Sequence, residues 1–340
     1  MGGNALKNCV TRRYTSLEYF LLTGEVHSKL AWCFNSAQFD FIKAYATKES
    51  YGDMDIVINS ADITEHWVDY VIEEFKPKEW IKNGNVLSFE YKEFQIDLIM
   101  THPDEYQTSL NYFAYNDLGN LLGRIAHSMG LKLGHDGLSY NWRVESYQFK
   151  NEIISTNWEE ICNVLGVSYE RYMQGFDTLE DIFKFVVASP FFHSDIYLLE
   201  NRNNYARTRD KKHKTYTEFL KWIEGYSHTN DQLANKIARD GFSKDIWLSY
   251  QFSVIDGFEA TYKRVQAEWA EETEYKKRYN GDIVRSITGL QNQELGMFMK
   301  WMKETHDQYR MRRNILQLNP HVIPSWITYN YEQYKKETGK

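Results

Sequence analysis

The segment Gly52-Asp53-Met54-Asp55 holds two aspartates one residue apart. On a strand, residues i and i+2 project from the same face, so these carboxylates stand side by side. Like charges held that close repel and need a cation or a proton between them. Magnesium, which takes oxygen ligands and keeps positions open for water and phosphate, suits such a pair. A third carboxylate would complete a site for two ions about 3.5–4 Å apart, which clamp the attacking and leaving oxygens of a phosphoryl transfer. Asp97 is the candidate, because it sits between Ile96 and Leu98, where an unpaired charge is costly. Asp53 and Asp55 would then bridge the metals and hold a triphosphate. Asp97 would serve the metal that carries the attacking hydroxyl and help take its proton. A D-x-D pair alone is common on solvated strand edges. The preceding glycine, the apolar run that follows and the apolar setting of Asp97 favour a site.

Local patterns predict the elements that must carry these residues. Asp55-Ile56-Val57-Ile58 is short, β-branched and apolar, and reads as a buried strand. Val86–Glu90 and Phe94–Ile99 flank the polar turn Tyr91-Lys92-Glu93 and read as a hairpin with Asp97 on its second arm. Residues 15–33 read as a helix with Tyr19, Phe20, Leu22, Val26 and Leu30 as its apolar stripe, capped at Thr15 or Ser16. Residues 62–75 show Ile63, Trp67, Val71 and Phe75 four apart, and Lys76-Pro77 stops that helix. From about Glu105 helical patterns dominate, with a further strand or two near 138–150. The fold class expected is α+β, with a small mixed sheet and flanking helices, then a largely helical C-terminal half.

Composition narrows the function classes. The chain has 340 residues, 42% hydrophobic and 16% aromatic, which is ample for a buried core and for two or three packed units. No apolar run is long enough to span a bilayer, and Met1–Leu6 has no signal-peptide core. Gly2 fails the myristoylation pattern because position 6 is Leu. Cys9, Cys33 and Cys162 are scattered and match neither a disulfide framework nor zinc spacing. A cytoplasmic protein without membrane partners is expected. The net charge of −7 argues against a processive duplex-DNA binder.

The three aspartates and their spacing resemble the polymerase-beta nucleotidyltransferase superfamily, and the family X DNA polymerases in particular. That family carries a Gly-Asp-x-Asp strand and a later apolar-Asp-apolar strand, matched here by Gly52–Asp55 and Ile96-Asp97-Leu98. The resemblance implies two Mg²⁺ or Mn²⁺ ions on Asp53, Asp55 and Asp97. It also implies transfer of a nucleoside monophosphate from an NTP or dNTP with release of pyrophosphate. Gly52 matches the glycine that approaches the phosphates, and Tyr112-Phe113 the aromatic pair beside sugar and base. Asn120 and Arg124 fall where the family contacts the nascent base pair and template.

Residues 1–105 then correspond to the palm, 106–175 to a thumb-like subdomain and 176–340 to a helical C-terminal domain. Gly130–Leu133, Gly137-Leu138, Ile154–Ile161 and Leu165–Tyr169 are similar to the thumb. The family's Gly-Ser and arginine before the first aspartate are replaced by Ile42, Lys43 and Ala46, leaving Lys43 or Lys48 to supply charge to the phosphates. Tyr115 replaces the glycine after the aromatic pair, and Gln95 stands where an arginine often steadies the third aspartate. Few residues precede Asp53, so the domains that grip gapped DNA have no room. The chain also resembles phage-encoded nucleotidyltransferases through Thr11–Tyr14, Lys48–Tyr51 and Tyr115–Asn120, which would put it in the host cytoplasm.

In the C-terminal half, residues 201–214 gather Arg202, Arg207, Arg209, Lys211, Lys212, His213 and Lys214 around Tyr205. They read either as a phosphate- and base-binding patch or as a solvated surface balancing nearby acids. Arg12-Arg13 read equally as phosphate ligands or salt-bridge partners. Ser286–Met299 is faintly similar to helices of tRNA-end-adding and poly(A)-adding enzymes, although its Met and Trp spacing also fits a packed helix face. Glu268–Glu274 reads as an exposed helix surface, and His127 and His135 as packing or capping residues. The function expected is nucleotidyl transfer from a nucleoside triphosphate to a hydroxyl acceptor in nucleic acid, RNA or tRNA ahead of duplex DNA. The alternatives are a reduced, templated family X-like polymerase and a nucleotide- or nucleic-acid-binding protein without catalysis.

Overall fold

The computed structural model describes residues 5–34, 37–144, 147–202, 204–226 and 244–339, and for 144, 147, 148 and 205 the backbone alone. Met1, Gly2 and the Tyr205 side chain, all named above, lie outside the described set. The fold is α+β. The chain divides into two compact units, one ending at Phe258 and one running from Glu259.

The first unit is built on a five-stranded sheet in the order β2-β4-β7-β6-β5. Its strands are β2 (Phe39–Phe41), β4 (Asp53–Asn59), β5 (Trp80–Asn83), β6 (Val86–Tyr91) and β7 (Phe94–Thr101). Only β4 and β7 run parallel; the other neighbours are antiparallel. The period of two in β4 and β7 sorts their side chains. Met54, Ile56, Ile58, Ile96 and Leu98 turn to one face and join a core with Leu22, Val26, Leu30, Val71 and Phe75. Val57 and Ile99 turn to the other and pack with Tyr106. The β6–β7 hairpin closes through Lys92 and Glu93, both with left-handed backbone (φ 53° and 60°). Such a turn matches the twist of the strands but normally takes glycine or asparagine. Here it is pinned from outside: the Tyr14 hydroxyl donates to the Lys92 carbonyl at 2.6 Å and the Arg12 amide to that of Glu93 at 2.8 Å.

Helix α1 (Ser16–Phe34) covers the sheet with Leu22, Val26, Leu30 and Phe34, each four apart. Phe20 departs from the expected stripe and is 74% exposed; it lies about 200° round the helix from Leu22. Helix α2 starts later than expected, at Trp67, because Asn59 caps a 3-10 turn at Ser60–Asp62 and Ile63 is extended. It ends where Lys76 enters the left-handed region ahead of Pro77. A short antiparallel ribbon joins β1 (Tyr14–Thr15) to β3 (Ser50–Tyr51).

Beyond the sheet come α3 (Tyr106–Phe113) and α4 (Leu118–Ser128), then a three-stranded antiparallel sheet of β8 (Leu131–Gly134), β9 (Gly137–Val144) and β10 (Tyr147–Ser155). Helices α5 (Trp158–Val164), α6 (Tyr169–Met173), α7 (Leu179–Val187), α8 (Asn204–Asp210), α9 (Lys214–Gly225) and α10 (Lys244–Val254) follow. The second unit holds most of α11 (Phe258–Arg278), with α12 (Gly281–Thr288), α13 (Asn292–His306), α14 (Gln308–Gln317) and α15 (Ile323–Thr338). Val284, Leu295, Phe298, Met302, Ile315 and Ile327 form its core, so the Met and aromatic spacing around Phe298 is a packed helix face. No described helix is long and apolar enough to cross a membrane.

Candidate metal centre and its cleft

The parallel register sets Asp55 beside Asp97 and Asp53 beside Gln95. All four side chains therefore share the face opposite the α1–α2 core. One carboxylate oxygen from each of Asp53, Asp55 and Asp97 lies within 4.8 Å of the others, a cluster that could hold a metal ion. An all-oxygen, all-anionic donor set suits a hard divalent cation. Burial pushes the Asp55 carboxyl well above its ordinary range, and the charges of Asp53 and Asp97 push it further. Asp97 rises to about 6, mainly through burial, against hydrogen bonds from Ser88 and Gln95. Without a cation, these carboxylates hold their charge at a cost.

Gln95, which stands in place of an arginine, contacts Asp97 itself. Its amide nitrogen donates to both oxygens of Asp97, at 3.0 and 2.8 Å. Its own carbonyl accepts from the Ala5 amide at 3.0 Å, which fixes which end of the side chain faces the carboxylate.

The three aspartates line a cleft of about 740 Å³, within the usual range for small-molecule sites. Lys43, Lys48, Gly52, Tyr112, Phe113 and Asn120 line the same cleft. Lys48 is partly buried, donates to the Asn116 side-chain oxygen Oδ1 at 3.1 Å and sits 4.5 Å from the centre of the Tyr51 ring. Its burial lowers its pKa, and the fields of Asp53 and Asp55 oppose that shift. The position of Tyr112 depends on Gly119: a side chain there would meet the Tyr112 carbonyl at 2.2 Å.

Arg124 is the exception among the predicted site residues. It does not line the cleft; its Nε and Nη2 donate to the Ile196 carbonyl at 3.0 and 2.8 Å. The long side chain satisfies a backbone acceptor, so the structure does not bring Arg124 together with the other predicted site residues. Tyr115, at the family's glycine position, keeps the glycine-like backbone with φ 57°, and Asn116 follows with φ 62°. The Tyr115 amide donates to the Lys43 carbonyl at 2.7 Å. Its ring packs edge-on against Tyr172 and Phe176, at 5.6 and 4.8 Å.

The basic segment divides. Arg202 is buried and pairs with Asp210 at 2.8 Å, and Arg207 donates to the carbonyls of Leu199 and Arg202. These two are structural. Arg209, Lys212, His213 and Lys214 instead line the cleft. Arg209 donates to the Asn120 side-chain oxygen at 3.1 Å, and His213 Nδ1 lies 2.9 Å from Asp117. The N-terminal arginines divide likewise. Arg12 pairs with Glu18 at 2.8 Å, while Arg13, held on Ser50, lines the cleft.

Sequence reasoning did not single out Tyr19, Tyr51 or Asp117, which also line the cleft. Tyr19 and Tyr51 stack at 3.8 Å. Asp117 offered one signal, since an aspartate just before Leu118-Gly119 is a helix-start residue. No protein-family model matches the chain, and no curated protein matches it either.

Proposed function

We propose that the chain is a metal-dependent nucleotidyltransferase that moves a nucleoside monophosphate from an NTP or dNTP to a hydroxyl acceptor. The acceptor class is nucleic acid, RNA or tRNA ahead of duplex DNA. One observation carries the reading: the parallel pairing of β4 with β7 gathers Asp53, Asp55 and Asp97 in a cleft that also contains Lys43, Lys48 and Gly52.

Two magnesium or manganese ions bound at these carboxylates would neutralise phosphate charge and activate the hydroxyl. The protein's own groups do the rest. Lys43 and Lys48 counter the β- and γ-phosphates, and Gly52 lets the backbone approach them. Tyr112 and Phe113 flank the sugar and base. The acceptor oxygen attacks the α-phosphorus, and the bond from that phosphorus to the bridging oxygen breaks. Pyrophosphate leaves with the electron pair, and Asp97 accepts the hydroxyl proton.

The engagement of Arg124 with Ile196 weighs against a templated polymerase. Incubation with labelled NTPs, magnesium and total RNA should label an acceptor. Equal labelling by an Asp53→Ala, Asp55→Ala double variant would overturn the proposal.

A further inference from the structure

Arg12 and Arg13 adjoin in sequence and do different things. Along an extended chain alternate side chains share a face. Arg12 accordingly lies with Tyr14, its guanidinium 4.3 Å from the centre of that ring, and pairs with Glu18 at 2.8 Å. Tyr14 belongs to the core under the sheet. Arg13, between the two, lines the cleft instead. Its backbone is held on both sides, because the Arg12 amide and the Tyr14 hydroxyl are bonded to the β6–β7 turn.

Strand pairing sets where along the cleft Arg13 falls. β1 pairs with β3 as Tyr14 with Tyr51 and Thr15 with Ser50. Carried one residue on, the same register puts Arg13 across from Gly52, the residue before Asp53. In the other direction along β4 come Asp53 and then Asp55, which lies level with Asp97. Arg13 therefore stands at the Asp53 end of the acid row, away from Asp55 and Asp97. In the proposed reaction Asp97 takes the proton of the acceptor, so its end of the row faces the bond that forms. Arg13 faces the end where pyrophosphate leaves.

The guanidinium is held ready for an anion. Its Nε donates to the Ser50 hydroxyl at 3.2 Å, and its Nη2 to the Ser50 carbonyl at 2.9 Å and hydroxyl at 3.1 Å. Those acceptors are neutral. Among the described residues Nη1 has no partner and the group has no carboxylate. Lys48, bonded to the neutral Asn116 side chain, feels the charge of Arg13 as well as those of Asp53 and Asp55. Two cations that share a cleft repel unless an anion lies between them. A planar, permanently charged fork suits phosphate. We infer that Arg13 grips the terminal phosphate of the bound nucleoside triphosphate and makes the site prefer a triphosphate to a diphosphate. The orientation of the ligand rests on the nucleotidyl-transfer reading, while the phosphate contact is testable apart from it.

The test measures the affinity of Mg²⁺–ATP and of Mg²⁺–ADP for the full chain by calorimetry. ATP should bind about tenfold tighter than ADP, the usual worth of hydrogen bonds to a charged group. Arg13→Ala should abolish that preference while leaving ADP affinity unchanged, with circular dichroism reporting the fold. Arg13→Lys, which keeps the charge and loses the fork, should fall between. Ser50→Ala, which frees the guanidinium, should lose part of the preference. A chain without an ATP preference, or one whose preference survives Arg13→Ala, overturns the inference. So does an equal loss for both nucleotides, which would put Arg13 on an inner phosphate or the nucleoside. A second arm uses inorganic tripolyphosphate in EDTA with an Asp53→Asn, Asp55→Asn variant, where neither metal nor those two charges intervene. Adding Arg13→Ala there should weaken binding about tenfold. If the double variant keeps its Mg²⁺–ATP affinity, the function reading sinks, while that loss of tripolyphosphate would leave the Arg13 contact standing.

Discussion

Gln95 is bonded to both carboxylate oxygens of Asp97, at 3.0 and 2.8 Å, and is itself held by the Ala5 backbone. A neutral amide thus orients one carboxylate of the triad without adding charge. Gln95→Met keeps the length and removes the donor. Manganese affinity by calorimetry should fall about tenfold, the usual effect of losing a group that orients a ligand. Unchanged affinity would mean that Asp97 needs no such support.

Asp55→Asn removes one of the mutually repelling charges in the cluster. The metal-free protein should melt higher, by roughly 2–4 °C for each kcal/mol of repulsion relieved. Added magnesium should no longer stabilise it, and nucleotidyl transfer should be abolished. A lower melting temperature without metal would show that the carboxylates do not oppose one another.

The raised pKa of Asp97, from 3.8 to about 6, fixes a pH dependence. The folded state holds the proton longer than the unfolded chain, so Asp97 contributes stability at low pH. That contribution is lost as the pH rises from about 4 through about 6. Metal-free unfolding curves should carry this slope, and Asp97→Asn should remove it. Stabilisation by magnesium should be larger at pH 7.5 than at pH 5, because metal competes with the proton.

Tyr115→Gly sets two effects against each other. Glycine would relieve a left-handed backbone that costs about 1–2 kcal/mol. It would also delete a ring buried to 5% exposure against Tyr172 and Phe176, a loss of about 3–5 kcal/mol. Packing wins, and urea unfolding should give a net destabilisation of about 2 kcal/mol.

Arg124→Ala should act on stability, leaving nucleotide affinity within twofold. Removing the guanidinium orphans the Ile196 carbonyl, at a cost of about 2–3 kcal/mol for bonds from a charged donor. A selective loss of nucleotide affinity would restore the base-pair role.

The centre of the site was legible because its residues lie on strands, where a period of two ties sequence to face. Asp53, Asp55 and Asp97 needed only that period and their apolar neighbours. The stripe of α1 misassigned Phe20, because a run of consecutive apolar residues hides which side of a helix is inside. The start of α2 was obscured by Asn59, whose cap on a 3-10 turn has no periodic signature. Arg124 could be aligned by type and order, but the partner of a long side chain depends on tertiary geometry. The division of the basic segment was beyond pattern reading: residues 202–214 are rich in basic side chains, and only folding pairs Arg202 inward with Asp210 and leaves Lys212 in the cleft.

The pairing of Asp55 with Asp97 depends on a single alignment of β4 on β7. A slip of one residue would bring Ile96 or Leu98 to the cleft and bury the acid among the core side chains. Only the native alignment assembles the carboxylate triad that could hold a cation. Divalent metal would therefore act as a proofreader during folding, binding correctly zipped chains and withdrawing them from mispaired ones. Refolding in magnesium should accordingly recover more native protein than refolding in chelator, even when no nucleotide is present.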